Sequence, residues 1–397
     1  MSVEKHFNRI VFYFPCHVTG GGQYLFIRYA EAMALNYPHI EVFFVDYIDG
    51  FARQQLKSTS HVKFIDYNER VKTVIPSNSV VVHALNHLKH FREQMVFDES
   101  NTSFIFWCIA FHDLYIPKYL ISKHTRKAIG EELIWLTQNG IIRYLGPRAL
   151  DAIARQYGIS PIPIEPIPLV VPTDKYSISD KEKKEIGNVV RFCWLGRLDD
   201  DKLNDILTYM NELEVYNRKR NVCLSLIGRG NAEKTLRSVS YTYPINFVGE
   251  MRDQVLDKYI KNHVDIGLAS GTSSLEFAFR KVPVVHGTKL AKVFNAGEYS
   301  GFRYIEQIES FANFETICNG ILFDYSSKCE AAYSYAMSKS PSAGAKKMRD
   351  AMLQLERLNV NEVFSHISRM SDLLAVGAKR YEKLKLLRKI MKTFRKK

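Results

Sequence analysis

Short apolar runs alternate with helical patterns along most of the 397 residues, and this alternation constrains the fold more than any other feature. A first series of runs comprises residues 9–15, 41–47, 62–67, 79–85 and 103–113. A second series comprises residues 189–196, 222–228, 245–249 and 264–269. Short, continuously apolar runs are typical of strands that are buried on both faces of a parallel sheet. The sequence therefore predicts an α/β chain with two doubly wound parallel sheets.

A proline-rich segment separates the two series. Residues 161–172 contain five prolines, which favour extended backbone and exclude a helix. The chain is also too long for one ordinary core, at roughly 150 residues per domain. We predict an N-terminal domain over residues 1–170, a C-terminal domain over 171–370 and a tail over 371–397.

The positive charge of the protein is concentrated at its C-terminal end. The net charge is +13, and residues 379–397 contribute +9 of it, with ten Lys and Arg against the single acid Glu382. Only +4 remains for the rest of the chain. The tail lacks aromatic residues interleaved as a stacking platform, so we predict no nucleic-acid partner.

The tail has the pattern of a basic amphipathic helix. Leu384, Leu387, Met391 and Phe394 fall on one helical stripe among Lys and Arg. Such a helix suits an anionic membrane surface, so residues 376–397 are predicted to bind one. The alternative is a terminal helix that packs on the body of the protein and exposes a basic face to solvent.

The compartment is predicted from what the sequence lacks. We find neither a signal-peptide pattern at the N-terminus nor a run of about 18 apolar residues, and the six cysteines include no CxxC pair. These features predict reduced thiols and a cytoplasmic protein, with the tail favouring a peripheral position on the inner face of the membrane.

The stretch from Val264 to His286 combines a strand, a Ser-Gly-Thr-Ser-Ser turn, a short helix and a second strand. Unpaired backbone N–H groups at such a helix start, together with the helix dipole, form a site for phosphate. Glu276, one turn into the helix, could accept hydrogen bonds from a sugar hydroxyl. The alternative is a capping box, in which Glu276 bonds the backbone near Ser273.

Two further features of the first series lie at strand ends. Gly20, Gly21 and Gly22 follow the first strand, where glycine permits close approach of a ligand, although tight packing explains them equally well. The dinucleotide fingerprint is not matched, because Leu25 occupies the position of its third glycine. His112 ends a strand and could bond a sugar hydroxyl, and the alternative is a purely structural histidine.

Arg197 and Lys202 follow the first strand of the second series, five residues apart across a turn into a helix. A planar Arg fork and a compact Lys charge can together neutralise one diphosphate. The alternative is a surface salt bridge between Arg197 and Asp199, Asp200 or Asp201. Consecutive acids before a helix are usually caps and solvated charge, so no metal site is predicted there.

Several of these motifs occur in the order seen in GT-B glycosyltransferases. The second half contains WLGRLDDDK, LIGRG, INFVGE and DIGLASGTSSLEFAFRKVPVV, and the first half contains TGGGQYLFIRYAEAMA, VVHALNH and FHD. Over roughly residues 8–290 the sequence most resembles the retaining family known as family 4. The resemblance implies two Rossmann-like domains that face a central cleft.

The resemblance also implies roles for individual residues. Arg197 and Lys202 would bind the donor diphosphate, Glu276 the ribose, and Gly271, Thr272, Ser273 and Ser274 a phosphate. His112 would face the donor sugar, and Gly21 and Gly22 would lie near diphosphate and acceptor. One feature of the family is missing: no acid precedes Glu276 at the position of the family's first glutamate, where Leu268 stands.

By resemblance the protein is expected to move a hexose-like sugar from a nucleotide-sugar donor to a glycan or lipid-linked acceptor, with retention and without a metal or other cofactor. Bacterial surface polysaccharides such as lipopolysaccharide or capsule are the expected context. Two alternatives stay open at this point. One is an inverting GT-B transferase, with His17, His83 or His112 as base, or else a sugar-nucleotide epimerase. The other is a non-catalytic subunit that binds a nucleotide-sugar or a glycan.

Overall fold

The computed structural model describes residues 7–17, 20–56, 61–109, 114, 116, 120–160, 162–171, 186–269, 271–287, 301–307 and 310–376. They belong to two compact units, one made of 1–169 with 342–397 and the other of 170–341. The boundary near residue 170 agrees with the proline-rich segment. Residues 342–370 were predicted to belong to the second domain, but they are part of the first unit.

Each predicted apolar run contains a strand, whereas the strands Thr73–Val74, Met95–Val96 and Phe302–Tyr304 were not predicted. In chain order the strands are β1 (Arg9–Tyr13), β2 (Glu41–Asp46), β3 (Val62–Asp66), β4 (Thr73–Val74), β5 (Ser79–Ala84), β6 (Met95–Val96), β7 (Thr102–Cys108), β8 (Ile142–Tyr144), β9 (Val190–Leu195), β10 (Val222–Ile227), β11 (Ile245–Gly249), β12 (Ile266–Ala269), β13 (Val284–Gly287) and β14 (Phe302–Tyr304).

Helices separate most of these strands. They are α1 (Gly21–Asn36), α2 (Phe51–Gln55), α3 (Phe91–Gln94), α4 (Lys123–Gln138), α5 (Pro147–Tyr157), α6 (Asp200–Asn217), α7 (Glu233–Arg237), α8 (Asp253–His263), α9 (Thr272–Phe279), α10 (Phe314–Phe323), α11 (Tyr325–Met337), α12 (Pro341–Glu356) and α13 (360–376), with a 3-10 helix over Leu85–His90.

The first unit contains a six-stranded parallel sheet with the order β3-β2-β1-β5-β7-β8. The chain winds outward from β1 to β3 and then returns to β5, so the strand order reverses between β1 and β5. Fully buried aromatic side chains lie on both faces of this sheet, with Phe12 and Trp107 on one face and Phe104 and Phe106 on the other. Near-continuous apolar strands are expected where helices cover both faces.

Two side chains of this core bind the proline-rich segment. Trp107 Nε1 donates to the carbonyl oxygen of Ile167 at 3.2 Å, and the hydroxyl of Tyr29 donates to that of Pro168 at 2.7 Å. Residues 162–171 contain neither helix nor strand, as their prolines predict. Buried donors fix this extended segment on the first unit.

The C-terminal helices return to the first unit. His366 of α13 stacks on Trp135 of α4, with ring centroids 3.6 Å apart, and its Nδ1 lies 2.7 Å from Glu132 Oε2. Lys347 of α12 pairs with Glu165 at 2.8 Å. These long-range contacts place 342–376 with the first domain, which the helical pattern of the segment could not indicate.

The second unit contains a six-stranded sheet with the order β11-β10-β9-β12-β13-β14, in which only the β13–β14 pair is antiparallel. At the amino ends of β9 and β12, Arg191 forms a two-pronged ion pair with the buried Asp265, with Nη2 2.8 Å from Oδ1 and Nε 3.0 Å from Oδ2. Only Asp265 is buried, so loss of Arg191 would leave an uncompensated charge in the interior, and the ion pair joins the amino ends of the two central strands.

The predicted membrane-binding segment 376–397 lies outside the described residues except for Val376. Within the described part of the chain, no helix is both long enough and apolar enough to cross a membrane. All six cysteines are described, and none of them forms a disulfide.

Candidate functional site

The strand order of the second sheet reverses between β9 and β12, which are hydrogen-bonded neighbours with Trp194 opposite Leu268. In open α/β sheets, ligands bind beyond the carboxyl ends of the strands at such a reversal. Arg197 follows the end of β9, and Gly271 follows the end of β12. Adjacent parallel strands are only about 4.8 Å apart, so the two loops begin as neighbours at one edge of the sheet.

The loop after β12 leads directly into α9, and no side chain caps the start of this helix. Gly271 is the N-cap residue of α9 and has a φ of 70°, a conformation that side chains with a Cβ rarely adopt. A Cβ built at this position meets no described atom within 4 Å. Glycine is therefore required here by backbone conformation and not by crowding. The N–H groups of a first helical turn lack the usual acceptor four residues earlier, and here the Ser274 N–H donates to the carbonyl oxygen of Gly271 at 3.3 Å.

The capping-box alternative is not what the structure shows. Helix α9 begins at Thr272, so Ser273 lies inside it instead of at the N-cap position, and no side chain caps the helix. The Ser274 hydroxyl donates back to the carbonyl oxygen of Gly271 at 2.5 Å. The amide groups at the start of α9 thus keep the arrangement that suits an anion.

Glu276 lies one turn into α9 and is largely buried, with 17% of its side chain exposed. Its Oε2 accepts from Arg280 Nη1 at 2.7 Å, and the Arg280 Nε donates to Asp257 Oδ1 of α8 at 2.5 Å. Burial alone would lower the pKa of Arg280, but Glu276 and Asp257 raise it above its ordinary value. The predicted ribose-binding carboxylate is therefore held by a charged guanidinium.

Close backbone packing joins the loops after β9 and β10. A Cβ on Gly228 would lie 2.0 Å from the carbonyl oxygen of Gly196, and one on Gly230 would lie 2.3 Å from the carbonyl carbon of Leu198. The Leu198 N–H donates to Arg229 O at 2.9 Å. The glycines of WLGR and LIGRG therefore allow the two loops to pack against each other, and this packing fixes the backbone that carries Arg197.

Arg197 and Lys202 differ in what they already contact. Arg197 is 42% exposed and pairs with Asp199 Oδ2 at 2.5 Å and Asp201 Oδ2 at 3.1 Å, which is the surface salt bridge considered as an alternative. Lys202, in the first turn of α6, is half-buried and forms no ion pair with the described residues. Lys202 is thus the more available cation for a diphosphate.

The interior near this edge holds inert groups. Burial raises the pKa of the Cys193 thiol, on β9, far above its ordinary value, and burial likewise raises that of the Tyr209 hydroxyl. The Tyr209 hydroxyl donates to Val285 O at 3.2 Å and accepts from the Gly287 N–H, so it fixes the end of β13. Neither group is a candidate nucleophile, because both are held neutral.

In the first unit, side chains fill more of the space beside the glycine loop than they do beside Gly271. Helix α1 begins at Gly21, and Gly20 has extended backbone. A Cβ on Gly22 would lie 3.0 Å from Ile109 Cδ1 and 3.5 Å from the Phe14 ring. The structure supports tight packing as the reason for Gly22, while Gly21 is exposed. Both belong to the first unit, apart in sequence from the other predicted donor-binding residues.

The histidines proposed as bases differ in accessibility. His83 is buried, and burial, followed by His87, lowers its pKa well below the ordinary value, so it stays neutral. His17 follows β1, is 49% exposed, stacks on Tyr47 at 3.9 Å and has its Nδ1 3.6 Å from Asp49 Oδ1. His112 and Ser270 lie outside the described residues, so the role predicted for His112 stays a prediction.

The described residues contain no group of three or more His, Cys, Asp and Glu side chains that could hold a metal ion. Asp199 and Asp200 are bonded instead to the neighbouring loop: the Asp200 N–H donates to Asn231 Oδ1 at 3.0 Å, and Asn231 Nδ2 donates to Asp200 Oδ2 at 2.9 Å. Independence from a metal stays a prediction.

Known structures share this architecture. A glycosyltransferase from Rickettsia africae aligns with a TM-score of 0.58 and 13% identity over 88% of this chain and 98% of its own. HepE from Anabaena, in complex with UDP and glucose, aligns with a TM-score of 0.53 and 11% identity over 86% and 98%. The trehalose-6-phosphate synthase OtsA aligns with 0.52 and 10% over 87% and 98%.

The chain has the GT-B fold. The predicted fold class is therefore confirmed, and both predicted sheets are parallel except for the β13–β14 pair of the second. No protein-family model and no curated protein sequence matches the chain. Identities of 10–13% establish shared architecture, and function has to be argued from the site.

Sequence reasoning missed two residues of this site, Arg280 and Asp257. Arg280 is four residues after Glu276, and that spacing places oppositely charged side chains together on a helix, so the sequence held a signal for it. Asp257 comes from another helix and had no local signal. Arg229, exposed in the LIGRG loop beside Arg197, is a third basic residue at this edge.

Proposed function

We propose that this protein is a glycosyltransferase that moves a sugar from a nucleotide-sugar to a glycan or lipid-linked acceptor, with retention, in the synthesis of a bacterial surface polysaccharide. The observation that carries the proposal is the juxtaposition at the strand reversal of the second sheet. An open helix start at Gly271 and a carboxylate at Glu276 follow β12, and Arg197 and Lys202 follow the neighbouring β9. Phosphate, ribose and diphosphate are the chemical groups that these features suit.

The assignment of roles follows from charge. The N–H groups of Thr272 and Ser273 would bind a phosphate, together with that of Ser274 once it releases the Gly271 carbonyl, and Glu276 would accept from ribose hydroxyls. Lys202 would stabilise the negative charge that develops on the departing diphosphate. The planar guanidinium of Arg197 would also bind phosphate oxygens, after it releases Asp199 or Asp201. HepE, which shares this fold, is in complex with UDP and glucose, and that supports a nucleotide-sugar donor.

Retention requires that the acceptor attack from the face that the diphosphate leaves. In that reaction the departing diphosphate helps to deprotonate the acceptor hydroxyl, while the protein supplies positioning and charge stabilisation. Leu268 stands where the family's first glutamate is expected, so the sugar contact falls to the loop around Gly271 and Thr272. The basic tail over 376–397 would keep the enzyme at an anionic membrane, near a lipid-linked acceptor.

One observation favours a second candidate, inverting transfer. His17 follows β1 at the strand reversal of the first sheet, is half exposed, and has Asp49 within ion-pair distance. A histidine oriented by a carboxylate can act as the general base that deprotonates an acceptor. The fully buried His83 cannot take that role without exposure.

The test is turnover of nucleotide-sugars by the wild type, Lys202→Ala and Lys219→Ala. Lys219 lies past the opposite end of α6 and pairs with Glu315, so it is a matched control. Removing a preorganised charge costs about 3–4 kcal/mol, so we expect Lys202→Ala to lower kcat about 100- to 1,000-fold and Lys219→Ala to leave it unchanged. Equal residual rates in all three proteins would refute the proposal.

Two further readouts separate the alternatives. The anomeric configuration of the product distinguishes retention from inversion, and inversion would be accompanied by a large loss of kcat in His17→Ala. Binding of nucleotide-sugar without turnover by any variant would indicate a non-catalytic subunit.

A further inference from the structure

Arg280 is a buried cation between two carboxylates. Its side chain is 9% exposed, and it links the end of α9 to the middle of α8 through Glu276 and Asp257. The Nη1 atom donates to both the carbonyl oxygen of Glu276, at 2.8 Å, and its Oε2, at 2.7 Å. The Nε atom donates to Asp257 Oδ1 at 2.5 Å. The planar fork therefore fixes one rotamer of Glu276.

The contact between Arg280 and Glu276 also reduces electrostatic repulsion at the start of α9. Glu276 lies about one helical turn, roughly 5 Å along the axis, from the start of α9. A carboxylate at that distance, poorly screened by solvent, would repel a phosphate bound to the same N–H groups. Arg280 compensates the charge of Glu276, so that the helix start can bind an anion while the carboxylate remains an acceptor.

A carboxylate retains acceptor capacity when one cation binds it. It offers about four lone-pair positions on two oxygens, and Arg280 Nη1 uses one of them on Oε2. The Arg280 contact therefore does not by itself prevent a ribose hydroxyl from donating to Glu276. The contact is therefore compatible with sugar binding and restricts where the sugar must lie.

We propose that Arg280, itself held by Asp257, is a positioning residue that presents Glu276 to the ribose of the bound nucleotide and compensates its charge beside the phosphate site. The inference rests on the proposed function, because it assigns Glu276 to a nucleotide. It adds that the recognition of ribose depends on a three-residue chain, Asp257–Arg280–Glu276, which spans α8 and α9.

The experiment measures binding by titration calorimetry to four probes: inorganic pyrophosphate, a nucleoside diphosphate, and its 2′-deoxy and 3′-deoxy analogues. UDP, GDP and ADP are screened on the wild type first, and the tightest is used. The variants are Arg280→Lys, Arg280→Met and Asp257→Asn. Arg237→Lys is the matched control, since Arg237 pairs with Glu233 at the same spacing and distance of 2.7 Å, but at the surface.

Each variant has a distinct expectation. Arg280→Lys keeps a charge near Glu276 but cannot reach both carboxylates with fixed geometry, so affinity for the nucleotide should fall about 10- to 100-fold while pyrophosphate changes less than about 3-fold. Arg280→Met leaves Glu276 uncompensated and should weaken both probes. Asp257→Asn should resemble a milder Arg280→Lys, and Arg237→Lys should match the wild type.

Discrimination against the deoxy analogues separates positioning from a general structural effect. The wild type should bind at least one deoxy analogue about 10-fold more weakly than the parent nucleotide. Arg280→Lys should bind that analogue and the parent nucleotide with equal affinity. Retained discrimination in Arg280→Lys and Asp257→Asn, or a parallel loss of pyrophosphate and nucleotide in both, would overturn the inference. Circular dichroism melting identifies a variant that fails to fold. If Arg280→Lys fails to fold, the test of the inference is Asp257→Asn, which leaves the Arg280–Glu276 pair in place.

Failure of the proposed function gives a different result. A wild type that binds none of the three nucleotides would refute both that function and the inference. A wild type that binds a nucleotide but does not distinguish its deoxy analogues would refute the inference alone.

Discussion

The two sheets carry similar turns with opposite physical character. Each has a strand, a glycine and a helix start next to the point where strand order reverses. In the first unit, the space beside Gly22 is filled by Ile109 and Phe14, whereas the space beside Gly271 is open. Gly22 lies in the first turn of α1 and does not have a positive φ, whereas Gly271 has a φ of 70°. A glycine in a closely packed space and one that is required by its backbone conformation look the same in a sequence.

The difference extends to the charged groups around each turn. At the carboxyl edge of the first sheet, Tyr13 stacks on His83 at 4.6 Å, and the buried Asp46 accepts from the N–H groups of Cys16, Tyr47 and Arg53 at 2.9–3.1 Å. These polar groups stabilise loops. At the corresponding edge of the second sheet, Lys202 and Arg229 form no ion pair with the described residues. Ligand chemistry is therefore expected there.

The largest expected effect distinguishes the two glycines. Gly271→Ala forces a side chain into a conformation that costs about 1–3 kcal/mol and displaces the N–H groups of α9, so we expect nucleoside diphosphate affinity to fall by more than about 10-fold. Gly22→Ala should leave that affinity unchanged and alter the free energy of unfolding by less than about 1 kcal/mol, since its neighbours are side chains that can shift. Calorimetry and urea unfolding measure the two quantities. Equal losses of nucleotide affinity in Gly271→Ala and Gly22→Ala would contradict the proposed difference between the two glycines.

A smaller effect should appear in the pH dependence of stability of the first unit. Burial lowers the pKa of His83, so this residue stays neutral when folded but binds a proton in the unfolded chain below a pH of about 6.5. The unfolded state is then favoured as the pH falls, and unfolding free energy should drop by up to about 1.4 kcal/mol per pH unit below 6.5, with no change above it.

The check is hydrogen exchange of β5 and β7, at pH values of about 7.5 and 5.5, in the wild type and His83→Phe. The variant should show a flatter dependence on pH. His263→Phe, at an exposed position in the second unit, is the control and should behave as the wild type. A wild-type dependence that persists in His83→Phe would show that another group is responsible.

The smallest effect concerns Arg197. Its partners Asp199 and Asp201 lie at the surface, where ion pairs stabilise by about 0–1 kcal/mol, so Arg197→Gln should change the unfolding free energy by less than about 1 kcal/mol. Because the guanidinium must exchange these partners before it binds a diphosphate, the loss of affinity should be smaller than for Lys202→Ala. Calorimetry with one nucleoside diphosphate compares the two, and the reverse order would place Arg197 ahead of Lys202 at the site.

The local pattern of the sequence determined much of this protein. Apolar runs of about six residues predicted most strands of both sheets, because burial on two faces requires them, and the prolines of 161–172 predicted an extended segment without helix. The glycine and small polar residues before Glu276 predicted a helix start that suits an anion. All of these properties depend on residues close together in the chain.

Tertiary structure alone decided the rest. The return of 342–376 to the first unit depends on contacts such as His366 with Trp135, more than 200 residues apart. Likewise Asp257 reaches Arg280 from another helix, and Ile109 and Phe14 meet Gly22 only in the folded unit. The hydrophobic effect that drives such packing is non-directional, so a sequence pattern specifies that a face is buried but not which distant residues will cover it.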